Sequence, residues 1–446
     1  MKKLLTFMLA CLFVVILAAC SSDSSEETET NSSTAGDSGS SSTTETNNTA
    51  SSEQVELTFS IWGSDAHVAM YEELLEEFYK DNSNITVKLD VIPFADYQQK
   101  MSVLAAGNEL PDVGWVSEAM VPQFKKNGIL ADVSELKTDA DFDFGDFIPK
   151  TTQLWENGEE LIGIPFSTPP MILYYNKTMF TDAGVETPYE LAKKGEWTWE
   201  KLEEVAKQIT TGEGASKKYG VSFFREWTNF STLPSHTISY GGTMFNDDMT
   251  KFTWNSKQGV DTFSYLQKLM FEDKTHVPPG EMITFESGQI GIYTAMYSYM
   301  GTAREIKDFE WDVAPLPSGP NGSAPLLGQA GISVFKGGEH EAEAKKLLAF
   351  LGSKTGIQAQ SAFFLPPRAS VLGSDEFLSV PNNPPIESLK LAMLDTMNDG
   401  YTYPQHENWT KIESEILNGL DQIFGQSASP ADILQSMEDN IQPLLE

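Results

Sequence analysis

The chain has 446 residues and a formal net charge of −34 at pH 7. Without Lys2, Lys3 and the seven acids of residues 21–54, residues 55–446 still carry −29, spread along the chain with no single acidic run. Such an acidic body repels phosphate backbones, so we expect no nucleic-acid partner. Its length predicts two domains.

The first twenty residues have the pattern of a secretory signal peptide. Two lysines precede an apolar run over residues 4–19. An uncleaved membrane helix is the alternative, but such a helix needs about 20 apolar residues and this run is shorter. The ending Leu17-Ala18-Ala19-Cys20 resembles the bacterial lipobox, which implies removal of residues 1–19 and lipidation of Cys20. We therefore expect a lipid-anchored protein on the extracytoplasmic face of a bacterial cell membrane.

Residues 20–54 are predicted to form a disordered tether. From Ser21 to Gln54 the chain is almost wholly Ser, Thr, Asn, Gly and acids, without a large apolar residue. Such a segment buries too little surface to offset the entropy of ordering. Because Cys11 would leave with the signal peptide, the folded body has no cysteine for a disulfide or a thiolate metal site. We expect no metal and no other cofactor.

The folded body begins with a strand, a helix and a second strand. Alternating apolar residues predict strands from Val55 to Ile61 and from Ile85 to Val91, with an amphipathic helix between them. Such a unit implies parallel strands with a right-handed crossover. The next predicted elements are a helix around residues 97–106, a strand at 112–116 and a helix that ends before Gly128.

A second α/β region is predicted after Pro165. The segment Thr187-Pro188-Tyr189-Glu190 has a capping residue, a proline at the first helical position and a glutamate at the third, which favours a helix start. Three later helices are predicted from apolar residues at helical spacing, around residues 202–209, 260–266 and 412–424.

Six short motifs follow one another along this body. They are LTFSIWG at 57–63, LPDVGWV at 110–116, GIPF at 163–166 leading to YYNK at 174–177, WTWE at 197–200, VAPLP at 313–317 and GQAGIS at 328–333. Their order and spacing resemble the family 1 extracellular solute-binding proteins, the sugar-binding group that includes maltose-binding protein. The resemblance implies a monomer that holds a solute in a cleft and delivers it to an ABC transporter permease.

The same resemblance implies an α/β, two-lobed periplasmic-binding-protein-like fold of class II type. Each lobe is expected to be a mainly parallel sheet flanked by helices, and a hinge joins the lobes. The expected N-terminal lobe is 55–166 plus 331–376, and the C-terminal lobe is 167–330 plus 377–446. Chain crossings between the lobes are expected near Pro165–Ser167, Leu327–Gly331 and Ser374–Val380.

Residues just past the strands of the first lobe are the candidate ligand contacts, because ligands of open parallel sheets bind at the carboxyl ends of strands. A sugar needs flat aromatic faces and polar partners for its hydroxyls, since hydroxyls buried unpaired are costly. The candidates are Trp62, Ser64 and Asp65 after the first strand, Glu118 after the third and Thr168 after the crossing strand. Alternatively, Trp62 plugs the end of the sheet, Asp65 caps a helix and Glu118 lies on a solvated face.

The other candidates lie later in the chain. Tyr297 and Ser298 stand where relatives often place a Gly-x-Trp motif whose Trp stacks on sugar, and Tyr297 offers a ring instead. Gly328 and Gln329 lie at a lobe crossing, where backbone can approach ligand closely. Arg368 is interpreted as a cleft donor, with a surface charge as the alternative. Trp409 is equally a packing residue or a ligand wall.

Enzyme signatures are absent from the sequence. It contains no nucleophile elbow, no His-Glu-x-x-His motif and no Walker-type phosphate loop, and its five histidines are scattered. We therefore expect a carbohydrate receptor and not an enzyme. The enzyme alternative is a lipid-anchored glycosidase, which needs two carboxyl groups that face each other. A receptor for a non-sugar solute and a surface adhesin are the remaining alternatives.

Overall fold

The computed structural model describes residues 54–223, 232–394 and 396–446. The predicted signal peptide, Cys20 and the tether up to residue 53 lie outside the described residues. Within them, no helix is both long enough and apolar enough to cross a bilayer.

Thirteen strands are present in the described part of the chain. They are β1 Val55–Trp62, β2 Ile85–Ile92, β3 Val113–Ser117, β4 Glu156–Asn157, β5 Glu160–Leu161, β6 Ile164–Ser167, β7 Met171–Asn176, β8 Tyr219–Ser222, β9 Ile290–Met296, β10 Trp311–Ala314, β11 Leu326–Leu327, β12 Ala330–Val334 and β13 Tyr401–Thr402.

Seventeen α-helices accompany them in the same part of the chain. They are α1 Asp65–Asp81, α2 Phe94–Gly107, α3 Val121–Asn127, α4 Pro149–Thr152, α5 Lys177–Ala183, α6 Pro188–Lys193, α7 Trp199–Ile209, α8 Thr232–Ser239, α9 Lys257–Gln267, α10 Met300–Ala303, α11 Glu341–Gly352, α12 Lys354–Gln360, α13 Ala369–Leu372, α14 Asp375–Leu378, α15 Ile386–Leu389, α16 Trp409–Phe424 and α17 Pro430–Ile441.

The first sheet has five strands in the order β2-β1-β3-β12-β6. The predicted strand–helix–strand unit is confirmed, because β1 and β2 pair in parallel with Val55 opposite Ile85 and Trp62 opposite Ile92. β3 is also parallel to β1. β12 is antiparallel to both β3 and β6, so it is the one strand of this sheet that runs against the others.

The second sheet has four strands in the order β10-β7-β9-β8. β8 and β9 pair in parallel, while β7 is antiparallel to β9 and to β10. Three of its strands therefore share one direction, and the two sheets are alike in having a single reversed strand. This gives the two-lobed α/β architecture that the sequence predicted.

Amphipathic helices cover these sheets as their apolar spacing predicted. The buried face of α1 is formed by Tyr71, Leu74, Leu75 and Phe78, which join the core of the first sheet. Burying each such side chain stabilises the fold by roughly 1.5–3 kcal/mol. The buried residues on the two faces of the second sheet form separate cores, one with α7 and one with α10, α14 and α15, while α9, α16 and α17 pack into a further helical core.

Local capping signals also act as the sequence indicated. The hydroxyl of Thr187 accepts from the backbone N–H of Glu190, and the Glu190 carboxylate accepts from the N–H of Thr187 at 2.8 Å. Gly128 ends α3 with φ at 62°, a left-handed conformation that glycine adopts without strain. Both helix ends are therefore fixed by local chemistry.

Two crossing segments join the sheets side by side. The chain leaves the first sheet after Ser167 and enters the second at Met171, and it returns between Leu327 and Ala330. These segments run antiparallel, because Pro170 pairs with Leu327 and the Gly328 N–H donates to the Pro169 carbonyl at 3.0 Å. The lobe boundaries given above, as limits of rigid units, stay a prediction.

Candidate ligand-binding cleft

Strand ends of the first sheet gather at a single edge. β1, β2, β3 and β6 share one direction, so the residues that follow them lie beside the residues that precede the reversed β12. The edge thus carries Phe94, Glu118, Thr168 and Gln329. Five strands spaced at about 4.8 Å make this edge about 19 Å wide.

The second sheet presents an equivalent edge to the crossing segments. β8, β9 and β10 end where β7 begins, directly after the first crossing. The end of β9 lies against the second crossing, since a Cβ added at Gly328 would come within 2.7 Å of Met296 Cε. The strand ends of both sheets therefore converge on the crossings.

A cleft of about 610 Å³ opens between the first lobe and a second wall formed by the segment before α16 and the first turns of α16. Its first-lobe wall comes from α2 and the β3–α3 connection, and its other wall comes from residues 403–413. The lining side chains are mostly amides, hydroxyls, carboxyls and aromatic rings: Gln98, Gln99, Ser102, Glu118, Gln123, Tyr403, Gln405, His406, Glu407, Trp409, Thr410 and Glu413. An ion pair between Lys126 and Glu407 joins the two walls.

Two larger concavities are weaker candidates for the binding site. One of about 730 Å³, which includes Lys177 and Trp311, lies at the opposite end of β7 from the crossings. Another of about 740 Å³ lies beside the cleft and shares residues 403–405 with it. The 610 Å³ cleft is favoured because Glu118, which follows the end of β3, lines it.

Glu118 is the central carboxyl group of the cleft. It lines the cavity, and its carboxylate accepts a hydrogen bond from the backbone N–H of Gln329. The Glu118 N–H donates in turn to the Gln329 carbonyl at 3.1 Å. Burial of the carboxyl group raises the pKa of Glu118 to about 8, although the hydrogen bond from Gln329 opposes the shift. At neutral pH this group is therefore mainly a protonated acid, able to donate a hydrogen bond.

Of the opposite wall, only Trp409 was considered from the sequence. Glu413 lies there, and burial raises the pKa of its carboxyl group. Trp409 packs edge-on against Phe245 at 6.1 Å and also lines the cleft, and its role as a ligand wall stays a prediction. The run Tyr401-Thr402-Tyr403-Pro404-Gln405-His406 combines aromatic and polar residues and was the available signal.

Trp62 has a packing role in the structure. Its half-buried ring stands edge-on to Trp115 at 4.8 Å and to Tyr97 at 5.0 Å, at the end of the first sheet. Its ligand role stays a prediction. Phe94, which the sequence reading overlooked, stands edge-on to Trp62 at 5.7 Å and is 70 % exposed. Phe94 therefore offers the open aromatic face at this edge.

Ser64 and Asp65 are placed at the start of α1. The Ser64 N–H donates to Nδ1 of His67 at 3.1 Å, and Asp65 is exposed in the first helical turn, where a negative charge favours the helix dipole. Neither residue lines the 610 Å³ cleft. The helix-start alternative for Asp65 accounts for this geometry.

Tyr297 is in the core of the second lobe rather than on a cleft wall. It is 5 % exposed, packs against Phe377 with ring centroids 5.8 Å apart, and its hydroxyl accepts from Arg304 at 3.4 Å. The predicted stacking of this ring on sugar is thus not supported by its placement. The neighbouring Ser298 is exposed and does not line the cleft.

The prediction that Arg368 is a cleft donor is wrong. It is 1 % exposed, and its guanidinium donates to the carbonyls of Phe142 at 2.7 Å, Asp143 at 2.9 Å and Gly352 at 2.9 Å. The group also lies over the ring of Phe147 at 4.1 Å. Its donors are used within the first lobe, so Arg368 is neither a cleft donor nor a surface charge. Sequence could not show which carbonyls would surround it.

Thr168, Gly328 and Gln329 do meet at the crossings, as expected from their position in the chain. Thr168 is 0 % and Gln329 4 % exposed, and Gln329 stands between Glu118 on one side and Thr168 on the other in the strand register. None of the three predicted residues lines the 610 Å³ cleft. Within the described residues, no group of three or more His, Cys, Asp or Glu side chains is arranged to hold a metal ion.

The chain is similar to known proteins in sequence and in structure. The diacetylchitobiose-binding protein of Streptomyces coelicolor is 22 % identical over 397 residues, covering 85 % of this chain and 88 % of the relative. An ABC substrate-binding protein of Listeria monocytogenes, solved with cycloalternan, superposes with a TM-score of 0.75 at 23 % identity, covering 88 % of this chain and 99 % of that one.

A second solved structure also has a similar fold. The sugar-binding protein MalE of Xanthomonas citri superposes with a TM-score of 0.75 at 20 % identity, covering 87 % of this chain and 97 % of that one. Residues 64–358, most of the folded body, match the family described as bacterial extracellular solute-binding protein. The two-lobed fold, the converging strand ends and this match together establish that the chain belongs to the bacterial extracellular solute-binding proteins.

Proposed function

We propose that this protein captures a carbohydrate, specifically an oligosaccharide, in the 610 Å³ cleft and delivers it to an ABC transporter permease. The observation that carries the proposal is the lining of the cleft. Amide, hydroxyl and carboxyl groups line it from two walls, together with the rings of Tyr403 and Trp409. Sugars need this mixture, because their hydroxyls require hydrogen-bond partners and their C–H faces pack on aromatic rings.

Size and relatives support the same ligand class. The cleft volume falls within the range of about 300–1,000 Å³ that small-molecule sites occupy. The strand-end edge, about 19 Å wide, provides room for more than one sugar ring. The relatives described above are named for sugars or were solved with one.

Delivery requires that the permease distinguish loaded from empty receptor. A ligand shifts the protein toward a closed state only if it contacts that state better, which for two lobes means touching both. Glu118 and Glu413 lie on opposite walls of the cleft and satisfy this requirement. We propose hinges at the crossings near Ser167 and Gly328, with one lobe rotating against the other.

We also propose that a lipid anchor holds the receptor at the membrane. Lipidated Cys20 and a tether up to residue 54 would hold a monomeric receptor at the outer face of the membrane. Cys20→Ser should then release the protein into the medium, as measured by fractionation and immunoblotting. Retention of this variant in the membrane fraction at the wild-type level would contradict the lipid anchor.

A carbohydrate panel tests the capture step directly. Thermal unfolding is measured with each sugar, including cycloalternan and diacetylchitobiose, and hits are followed by small-angle scattering. A sugar present at about 100 times its dissociation constant should add roughly 2.7 kcal/mol to the stability and should compact the protein. If no sugar does either, the carbohydrate proposal is wrong, and a non-sugar solute that does both would replace it.

One observation also bears on the glycosidase alternative. Two carboxyl groups with raised pKa values, Glu118 and Glu413, line the same cleft, and glycosidases use a pair of facing carboxyls. Product analysis after incubation with the bound sugar separates the two functions. Intact sugar supports the receptor, and cleaved sugar that is lost in Glu118→Gln would establish hydrolysis.

A further inference from the structure

Among the described residues, two buried polar side chains at the crossings, Thr168 and Gln329, have no hydrogen-bond partner. Thr168 is 0 % exposed and Gln329 is 4 % exposed. The Thr168 hydroxyl and both the oxygen and the nitrogen of the Gln329 amide are unpaired. A buried polar group without a partner pays its full desolvation penalty, so it destabilises the ligand-free protein.

Strand register places these two side chains next to each other. Ala330 pairs with Ser167, and Leu327 pairs with Pro170, in antiparallel orientation. Because the two segments have equal lengths between these pairs, Gln329 stands opposite Thr168. Directly opposed residues share a face, with Cβ atoms about 4.5–5.5 Å apart.

The backbone that carries the amide is held firmly. Gln329 N–H donates to the Glu118 carboxylate, and the Gln329 carbonyl accepts from the Glu118 N–H at 3.1 Å. Thr168 N–H donates to the Leu365 carbonyl at 3.1 Å. The main chain of both residues is therefore paired, while their side chains are not, which is the arrangement of a preorganised binding element.

Other buried residues of the same types show how this protein satisfies a structural polar group. Gln360, 0 % exposed, accepts from the Tyr71 hydroxyl at 2.9 Å and donates to the carbonyls of Leu351 at 2.8 Å and Gly356 at 3.0 Å. Thr262, 1 % exposed, donates to the Gln258 carbonyl at 2.9 Å. The side chains of Gln329 and Thr168 differ from them, because their polar atoms have no hydrogen-bond partner among the described residues.

Their hydrogen-bonding capacity matches a pair of adjacent hydroxyl groups. A glutamine amide offers one oxygen acceptor and two N–H donors, and a threonine hydroxyl both donates and accepts. Neither residue lines the 610 Å³ cleft, but the backbone of Gln329 is bonded to the cleft residue Glu118. We propose that Gln329 and Thr168 together recognise two neighbouring hydroxyls of a sugar that extends from this cleft to the crossings, and so determine which sugars are accepted. This inference rests on the carbohydrate function proposed above. Because the pair bridges the two crossing segments, the same contact links ligand binding to the hinge.

Apolar replacements of similar size test the pair in the absence of ligand. Gln329→Met and Thr168→Val remove unpaired polar groups, so we expect the melting temperature of the ligand-free protein to stay unchanged or rise by a few degrees. The matched controls Gln360→Met and Thr262→Val break existing hydrogen bonds and should lower it. Lowered melting in Gln329→Met and Thr168→Val, as in the controls, would overturn the inference.

Binding provides the second measurement. Calorimetry with cycloalternan, diacetylchitobiose and each sugar that stabilised the wild type should show at least about tenfold weaker affinity in Gln329→Met and Thr168→Val, and wild-type affinity in Thr262→Val. Sugar binding that is unchanged in both test variants overturns the diol recognition alone. Failure of the wild type to bind any sugar overturns the carbohydrate function together with it.

Discussion

Two ionisable side chains of the first lobe, the buried Arg368 and the half-buried Glu118, have opposite surroundings. The Arg368 guanidinium is surrounded by three backbone carbonyls, the Asp146 carboxylate at 3.4 Å and the ring of Phe147. Glu118 receives a single N–H from Gln329 and lines an open cleft. A buried charge saturated by protein groups is structural, whereas one left with spare hydrogen-bonding capacity beside a cavity is available to a ligand.

Removing the charge of Arg368 should have the largest effect on stability. Arg368→Met leaves the carbonyls of Phe142 and Gly352 without their donor and Asp146 without its ion pair, so we expect a loss of about 3–5 kcal/mol in the free energy of unfolding. Denaturant titration measures it. Arg304→Met, at a partly exposed arginine, is the control and should cost much less. A loss under about 1 kcal/mol in Arg368→Met would contradict the structural assignment.

The carboxyl group of Glu118 should make the stability of the protein depend on pH. Because burial raises the pKa of Glu118 to about 8 from the ordinary value of 4.5, the folded protein holds a proton that the unfolded chain has lost between these pH values. Stability should therefore fall as pH rises from about 5 to about 8 and level off above this value, by on the order of 2–4 kcal/mol in total.

Glu118→Gln isolates this contribution. The glutamine cannot ionise, so the difference between wild-type and variant stability should change with pH in that direction. Glu407 and Glu413, which line the same cleft, are present in both proteins, so the comparison removes most of their contribution. A pH-independent difference between the two proteins would show that Glu118 is ionised as in water.

Phe94 tests whether the exposed strand-end edge contacts ligand. Phe94→Ala removes the open ring and should weaken affinity for a stabilising sugar by about 1 kcal/mol, with little change in unfolding, since the ring is 70 % exposed. Val103→Ala, at another exposed apolar residue of α2, is the matched control. Equal sugar affinity in both variants, measured by calorimetry, would exclude Phe94 from the site.

The ion pair across the cleft should have the smallest effect. The Lys126 and Glu407 side chains are 66 % and 49 % exposed, and such pairs contribute about 0–1 kcal/mol. Lys126→Ala should barely change stability but should shift ligand-free protein toward a larger radius of gyration in scattering. Lys194→Ala, whose partner Glu186 lies in the same lobe, should leave the radius unchanged. Expansion in both variants would contradict a bridging role.

Local signals in the sequence were sufficient for most of the fold. The spacing of Tyr71, Leu74, Leu75 and Phe78 gave α1, and the Thr187–Glu190 box gave the start of α6, because these features act within one or two turns. The reversed strand β12 was not predicted, since it pairs with β3 and β6 from more than 150 residues away. Strand partners at that distance leave no local pattern.

The sequence by itself determined the family, the alternation of strands and helices, and the presence of Glu118, Thr168 and Gln329 at strand ends and crossings. Tertiary structure alone decided which side chains face a cavity. It buried Tyr297 against Phe377 and enclosed Arg368 in carbonyls, and it brought Trp409 to a wall of the cleft. A residue's type and position fix what it can bond, but its partners come from segments distant in the chain, and these exist only once the lobes have folded.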